Sequence, residues 1–200
     1  MNQDKMGKGE QSRARLLQAA AVQFAAVGYH RTRVSDIVRQ AGLTQAAFYL
    51  YFPSKESLYQ ELMDGFFQKL WELSDAGGKV TPLARHEVRD RMKENLLELF
   101  RFFARMPEQT RIVLTGAEER EELHRKLTSI VSANLRKNQE AGHVRPELSV
   151  EVAAESMLAV VQRLTVRFLL SGERTAEQLA EDAAALLAKG ILQADRTKEE

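Results

Sequence analysis

The sequence predicts an all-α protein of about nine helices, and three observations predict it. Apolar residues recur at helical spacing through most of the 200 residues. No sustained alternation of β-branched and aromatic residues is present. Four prolines and eleven glycines are few enough to leave long helices uninterrupted. In the first helix Leu16, Ala20, Phe24 and Val27 form the stripe and Gly28 supplies the stop. Val34, Ile37 and Val38 form a short second stripe ending at Ala41-Gly42. Thr44 is a good N-cap for a very short third helix reaching about Tyr51. Pro53-Ser54 breaks and recaps the chain, and a longer helix carries Leu58, Leu62, Phe66 and Leu70.

The remainder repeats this grammar in longer pieces. Thr81-Pro82 places a hydroxyl cap before a proline at the first helical position, and Val88, Met92, Leu96, Leu99 and Phe103 follow on one stripe. Pro107 opens a short segment through Leu114. The seventh helix, from about Ala117 to Ala141, begins with Glu118, Glu119, Glu121 and Glu122 and ends with Arg136 and Lys137. That order matches the helix dipole, and Gly142 supplies the stop. Ser149 caps an eighth helix to about Leu170, and Thr175 with Gln178 makes a capping box for the last. Residues 1–10 and 195–200 read as frayed tails.

Composition excludes several classes of function. A hydrophobic content of 44% suffices for a sizeable core. The absence of cysteine removes disulfides, thiolate zinc sites and cysteine nucleophiles together. The opening MNQDKMGKGEQSR holds no apolar run, so no secretory leader is expected. The charge-free run Leu16 to His30, which no other exceeds in length, is too short and too polar to span a bilayer. A cytoplasmic protein without membrane contact is the expectation. The net charge of +1 hides an asymmetry. Residues 1–60 hold eight basic and four acidic side chains, a net of +4, whereas residues 61–200 hold 21 and 24, a net of −3. A basic head on a mildly acidic body suits an N-terminal polyanion site.

The informative stretch is VSDIVRQAGLTQAAFYLYF, Val34 to Phe52. An amphipathic helix, an Ala-Gly-Leu turn and a short helix capped by Thr44 have the form of a helix-turn-helix. Gly42 can take the positive φ of a tight interhelical turn. Leu43 and Phe48 can pin the second helix against Ile37 and Val38, and Ala46 and Ala47 allow close approach to a major groove. Read alone, this pattern also fits plain helix packing.

With its flanks, LLQAAAVQFAAVGYH and TRVSDIVRQAGLTQAAFYLYFPSKESL, the chain from Leu16 to Leu62 resembles the DNA-binding domain of the TetR family of transcriptional regulators. The resemblance implies a DNA-binding domain over residues 10–56 and an effector-binding and dimerisation domain over 57–194. It implies double-stranded operator DNA, palindromic to match a homodimer, and a small-molecule effector as partners, and neither cofactor nor metal. On this reading the protein is a repressor released from its operator by an apolar effector. Gln45 is the base reader, because its amide pairs bidentately with adenine. Thr44 caps and touches phosphate, and Ala46 lies against the bases. Tyr49 and Tyr51 donate hydroxyls to phosphate. Lys55, at the first turn of the fourth helix, adds an ammonium to phosphate, and Thr32, Arg33 and Ser35 contact backbone or a base edge. Where relatives carry a basic residue and then glycine, this chain has Gln45 and Ala46, which points to A·T pairs read by an amide and methyl groups. Arg33 replaces a common hydroxyl residue, which moves the expected cap of the second helix to Thr32. Lys5, Lys8, Arg13 and Arg15 read as a solvated tail, with a minor-groove arm as the alternative.

In the body, Met63, Phe67, Trp71, Met92, Leu96, Phe100 and Phe103 form an adaptable methionine- and phenylalanine-rich interior, the expected effector pocket. Ordinary core packing is the alternative. An effector wedged between the fourth helix and the body would move that helix and separate two recognition helices. Val150, Ala153, Met157, Val161, Leu164 and Phe168 line one stripe of the eighth helix, and Leu179, Ala183 and Leu186 one stripe of the ninth. These are the expected dimer interface, with each protomer's own core as the alternative. No catalytic set emerges. The four histidines are scattered, and His124 reads as a satisfied surface or core histidine. The rival functions are an α-helical enzyme, carrier or adaptor in which the N-terminal motif is only packing.

Overall fold

The computed structural model describes residues 7–75, 83–116 and 120–192. Among them lie nine α-helices: α1 (Lys8–Val27), α2 (Val34–Ala41), α3 (Gln45–Tyr51), α4 (Lys55–Ser74), α5 (Arg85–Arg105), α6 (Pro107–Thr115), α7 (Arg120–Glu140), α8 (Val150–Leu164) and α9 (Ala176–Ile191). The only strand-type pairing among the described residues is an isolated antiparallel bridge between Val144 and Leu192.

The expected caps act as such. The hydroxyls of Thr44, Ser149 and Thr175 accept from the amides of Ala47, Val152 and Gln178. Two boundaries differ from expectation. The first helix already begins at Lys8 rather than after a tail reaching residue 10, with Glu10 accepting from the Gly7 amide. The eighth helix ends at Leu164, and Thr165–Leu169 continues it as a π-helical turn. The buried hydroxyl of Thr165 donates to the Val161 carbonyl at 2.8 Å, a back-bond that competes with the regular ladder. Thr81-Pro82, Glu118 and Glu119 lie outside the described residues.

The chain divides into two compact units, the described residues of Met1–Gln68 with Glu108–Gly116, and those of Lys69–Pro107 with Ala117–Glu200. In the first, Leu16, Ala20 and Phe24 of α1, Ile37 and Val38 of α2, and Phe48 of α3 close one core, joined by Phe52 and Leu58. Gly42 takes φ +64 at the turn between α2 and α3, and the Leu43 amide donates to the Val38 carbonyl at 2.9 Å. The Arg15 guanidinium donates to the Ala41 carbonyl, so a cation sits where the α2 dipole is negative. A Cβ on Gly42 would stand 2.7 Å from that guanidinium.

In the second unit α5 packs on α9 and α7 on α8. The buried face of α9 includes Ala176, Leu179, Ala180, Ala183, Ala184 and Leu187, a run of small side chains that admits close helix approach. Exposed pairs flank this seam. Lys93 meets Glu181 at 2.8 Å and Arg101 meets Glu177 at 2.9 Å. Exposed pairs of this kind contribute little stability.

Candidate nucleic-acid interface and internal cavity

α3 has seven residues, too few to be stable alone, and Phe48 is its one fully buried side chain. The Phe48 ring lies 5.8 Å from the Phe52 ring, which anchors the helix at its far end. With Phe48 inward, Gln45, Ala46, Tyr49 and Leu50 share the opposite, exposed face. Tyr49 is 57% exposed and Leu50 81% exposed. No cation stands on this face; one amide, one phenol and two aliphatic groups do. Sequence reasoning missed Leu50. Its signal was there: in FYLYF it alone among the apolar residues falls off the Phe48–Phe52 spacing.

The residues around α3 divide into exposed and internal ones. Arg33 is exposed at the N-cap of α2, and Ser35 is half-buried in the first turn. The cap expected at Thr32 is instead at Arg33, whose amide donates to the Asp36 carboxylate at 3.2 Å. Thr32 itself is 1% exposed and donates its hydroxyl to the Gly28 carbonyl at 2.8 Å, so the expected DNA contact there is corrected. A buried hydroxyl needs an internal partner, and the turn after α1 supplies one. Replacing Thr32 by Val is therefore expected to lower stability by about 1 kcal/mol in urea denaturation. DNA affinity of the folded variant should stay within twofold in fluorescence anisotropy.

Lys55 does not extend from α4 as a loose cation. Its ammonium donates to the Tyr29 carbonyl at 2.8 Å and the Thr32 carbonyl at 2.9 Å, and it stands 4.2 Å from the centre of the Tyr29 ring. Desolvation holds it below the ordinary lysine value. Lys55 thus ties the start of α4 to the turn before α2. Tyr51 is half-buried, with its hydroxyl 3.6 Å from where a Cβ on Gly9 would stand. Arg13 pairs with Glu61 and lies over the Phe52 ring, and Arg15 caps α2. Both are therefore structural cations on α1 and belong to no N-terminal tail or arm. Lys8 is exposed, and Lys5 lies outside the described residues.

The second unit holds a cavity of about 160 Å³. Met92 and Leu96 line it as expected, whereas Met63, Phe67, Trp71, Phe100 and Phe103 do not. Phe100 and Phe103 are buried in packed core, and Lys126 covers the Trp71 ring at 4.0 Å. The walls are aliphatic, and their polar groups are Ser74, Asn95, Asn134, Asn138 and His143. Sequence reasoning missed the two asparagines of α7. Their i, i+4 spacing on the face shared with Val131 and Leu135 was the available signal.

The expected dimer stripe is largely internal. Val150, Ala153, Leu179 and Ala183 are buried in the protomer's own core, Met157 and Val161 line the cavity, and Leu164 and Phe168 pack against that core. The most apolar stripe of an amphipathic helix faces its own chain's core first. Of the residues named, Leu186 is exposed, at 63%, and Val152, at 62%, joins it from α8. His124 lies 2.6 Å from Glu155, which also accepts from Thr128. These bonds hold the Glu155 carboxyl below its usual value and tie α7 to α8.

Comparisons with known proteins agree with this architecture. Residues 16–62 match the profile described as bacterial regulatory proteins, tetR family. The chain is 34% identical over 185 residues to YdgC of Bacillus subtilis (strain 168), an uncharacterized HTH-type transcriptional regulator, covering 92% of this chain and 95% of that one. It is 26% identical over 197 residues to the HTH-type transcriptional repressor KstR2 of Mycobacterium tuberculosis, covering 92% and 95%. The solved structure of the ketosteroid transcriptional regulator KstR2 of Mycobacterium tuberculosis superposes with a TM-score of 0.76 at 24% identity, over 91% of this chain and 95% of that one.

Proposed function

The chain belongs to the TetR family of bacterial regulatory proteins, and from that membership we propose a homodimeric repressor that leaves a palindromic operator when a small apolar molecule enters its body. It is a transcriptional regulator and not an enzyme. The observation that carries the DNA reading is the uncharged exposed face of α3. Gln45 pairs with adenine, and Ala46 and Leu50 meet thymine methyls. Tyr49, Tyr51, Thr44, Arg33 and Ser35 hold phosphate oxygens and fix register. Residues 10–56 serve DNA, with Lys55 bracing α4, and residues 57–194 serve effector and partner. The description of KstR2 as a repressor and a ketosteroid transcriptional regulator supports repression and an apolar effector.

Dimerisation belongs on the faces that the protomer leaves exposed, Val152, Ser156 and Ala159 of α8 with Leu186 and Gly190 of α9. Small residues beside two exposed aliphatic side chains suit a two-fold helical interface. Release has a physical route. α4 is one continuous helix, with Leu73 and Ser74 at its end lining the cavity and Lys55 at its start gripping the Tyr29 and Thr32 carbonyls. An occupant that shifts the end of α4 therefore strains the turn that orients α2. No helix among the described residues is long and apolar enough to cross a membrane. The cytoplasm, where operator DNA is reached, is the compartment this reading requires.

Selection from a random duplex library tests the proposal. The natural chain should enrich a palindrome with A·T pairs in each half. The double substitution Gln45→Ala with Tyr49→Phe should weaken binding to it ten- to a hundredfold, about 1–3 kcal/mol. Failure of the natural chain to enrich any sequence would overturn the reading.

A further inference from the structure

We propose that this protein senses adenine methylation: an N6-methyl group on the operator adenine that Gln45 reads removes that contact and weakens binding. The inference rests on the DNA reading and deepens it. Gln45 is exposed, and no hydrogen bond engages its side chain among the described residues. α3 is capped by Thr44 instead, whose hydroxyl accepts from the Ala47 amide at 3.1 Å. The fold makes no use of the Gln45 amide, which is left whole for a base. A glutamine amide reads adenine with both of its ends: the oxygen accepts from an N6 hydrogen and the nitrogen donates to N7. In a paired adenine one N6 hydrogen goes to thymine, and the other is the one open to the major groove. Methylation of a paired N6 puts the methyl group in place of that open hydrogen. The amide oxygen then faces carbon instead of a donor, and an acceptor desolvated without its donor costs more than the bond contributed.

Little else in this unit can offset the loss. Beside Gln45 the exposed face of α3 carries Ala46, Tyr49 and Leu50, and none of them is an amide or a cation. The cations from Lys8 to Lys55, which would hold the helix in the groove whatever the base, are mostly engaged within the protein. Arg13 pairs with Glu61 and Arg39 with Asp36. Arg15 donates to the Ala41 carbonyl, Arg31 to the Val27 carbonyl, and Lys55 to the Tyr29 and Thr32 carbonyls. Lys8 and Arg33 remain exposed for phosphate. Where few charges neutralise phosphate, base contacts carry a larger share of operator affinity, and a modified base is felt more strongly.

The duplex enriched from the random library is the probe, synthesised with N6-methyladenine at one adenine position at a time in both halves. It is titrated against the full chain by fluorescence anisotropy at one fixed salt concentration. The expected result is a position at which methylation lowers the affinity of the natural chain at least tenfold. At the same position 7-deazaadenine, which lacks the N7 acceptor, should also weaken binding. Gln45→Ala leaves the cap and the buried ring of α3 in place, and should bind the methylated and unmethylated duplexes within twofold of each other. Natural-chain affinity unchanged by methylation at every adenine would overturn the inference while leaving the DNA reading in place. An equal loss in Gln45→Ala would assign the effect to another residue or to the shape of the DNA, and would overturn it as well. Failure to enrich any duplex would remove the DNA reading on which the inference stands.

Discussion

Replacing Phe48 by alanine is expected to cost about 3–5 kcal/mol of stability, the range for removing a buried aromatic ring from a packed core. The ring is fully buried and packs with Phe52, Ile37 and Leu16 in the core of the first unit. Apart from half-buried Tyr51 and Ala47, little else on α3 is covered. Its seven residues are below the length at which a helix persists alone, and its opposite face is exposed. The loss should therefore be read twice. Urea denaturation should show the fall in stability, and DNA binding should vanish at temperatures where the remaining helices still give a helical circular dichroism spectrum. Phe48→Leu, which keeps much of the volume, should recover most of both. A Phe48→Ala protein with natural DNA affinity would show that α3 is positioned by something other than this ring.

The second large effect is expected from Val152→Asp combined with Leu186→Asp. Both side chains are more than half exposed, so the substitutions should leave the protomer fold intact. Two aspartates on each face would put four carboxylates into a two-fold interface that the natural chain fills with aliphatic side chains, where they would be desolvated. Sedimentation should then report a monomer. Operator affinity should fall by about a hundredfold or more, because two linked half-site contacts become two independent ones. Val150→Asp is the instructive contrast. Val150 lies in the protomer's own core, and its loss should unfold the second unit instead of splitting a dimer. A double variant that stays dimeric would move the interface off these faces.

Much of the fold was legible in the sequence, for reasons that lie within single helices. Thr44, Ser149 and Thr175 announce helix starts because a short hydroxyl satisfies a terminal amide only there. Gly42 announces the turn because only glycine takes φ +64 without strain. The order of Leu16, Phe24, Ile37, Val38 and Phe48 identifies one core, since their spacing puts them on facing stripes. Gln45 and Tyr49, to which the family resemblance gave DNA contacts, are both exposed.

The site residues that moved are those whose role depends on what comes near from elsewhere in the chain. Thr32 and Lys55 look alike as polar residues near a helix start, yet one is sealed against the Gly28 carbonyl and the other bridges two carbonyls in the turn before α2. Arg13 and Arg15 read as part of a basic tail until Glu61 and the end of α2 claim them. Leu50 reads as one more apolar residue until no helix among the described residues comes to cover it. The body shows the same division. Periodicity marked an apolar stripe on α8 and on α9 but was silent on its partner, and the protomer's own core took most of both.

The sequence by itself determined the helices, most of their ends, the helix-turn-helix and the resemblance to the family, because each depends on residues within a turn or two of one another or on their linear order. Tertiary structure alone decided which cations are structural, which faces stay open, and that the cavity is walled by aliphatic side chains with amides from α5 and α7 and without Asp, Glu, Lys or Arg among the described residues. Those properties arise where helices distant in sequence meet, and a one-dimensional pattern carries the period of a face but not the identity of what lies against it.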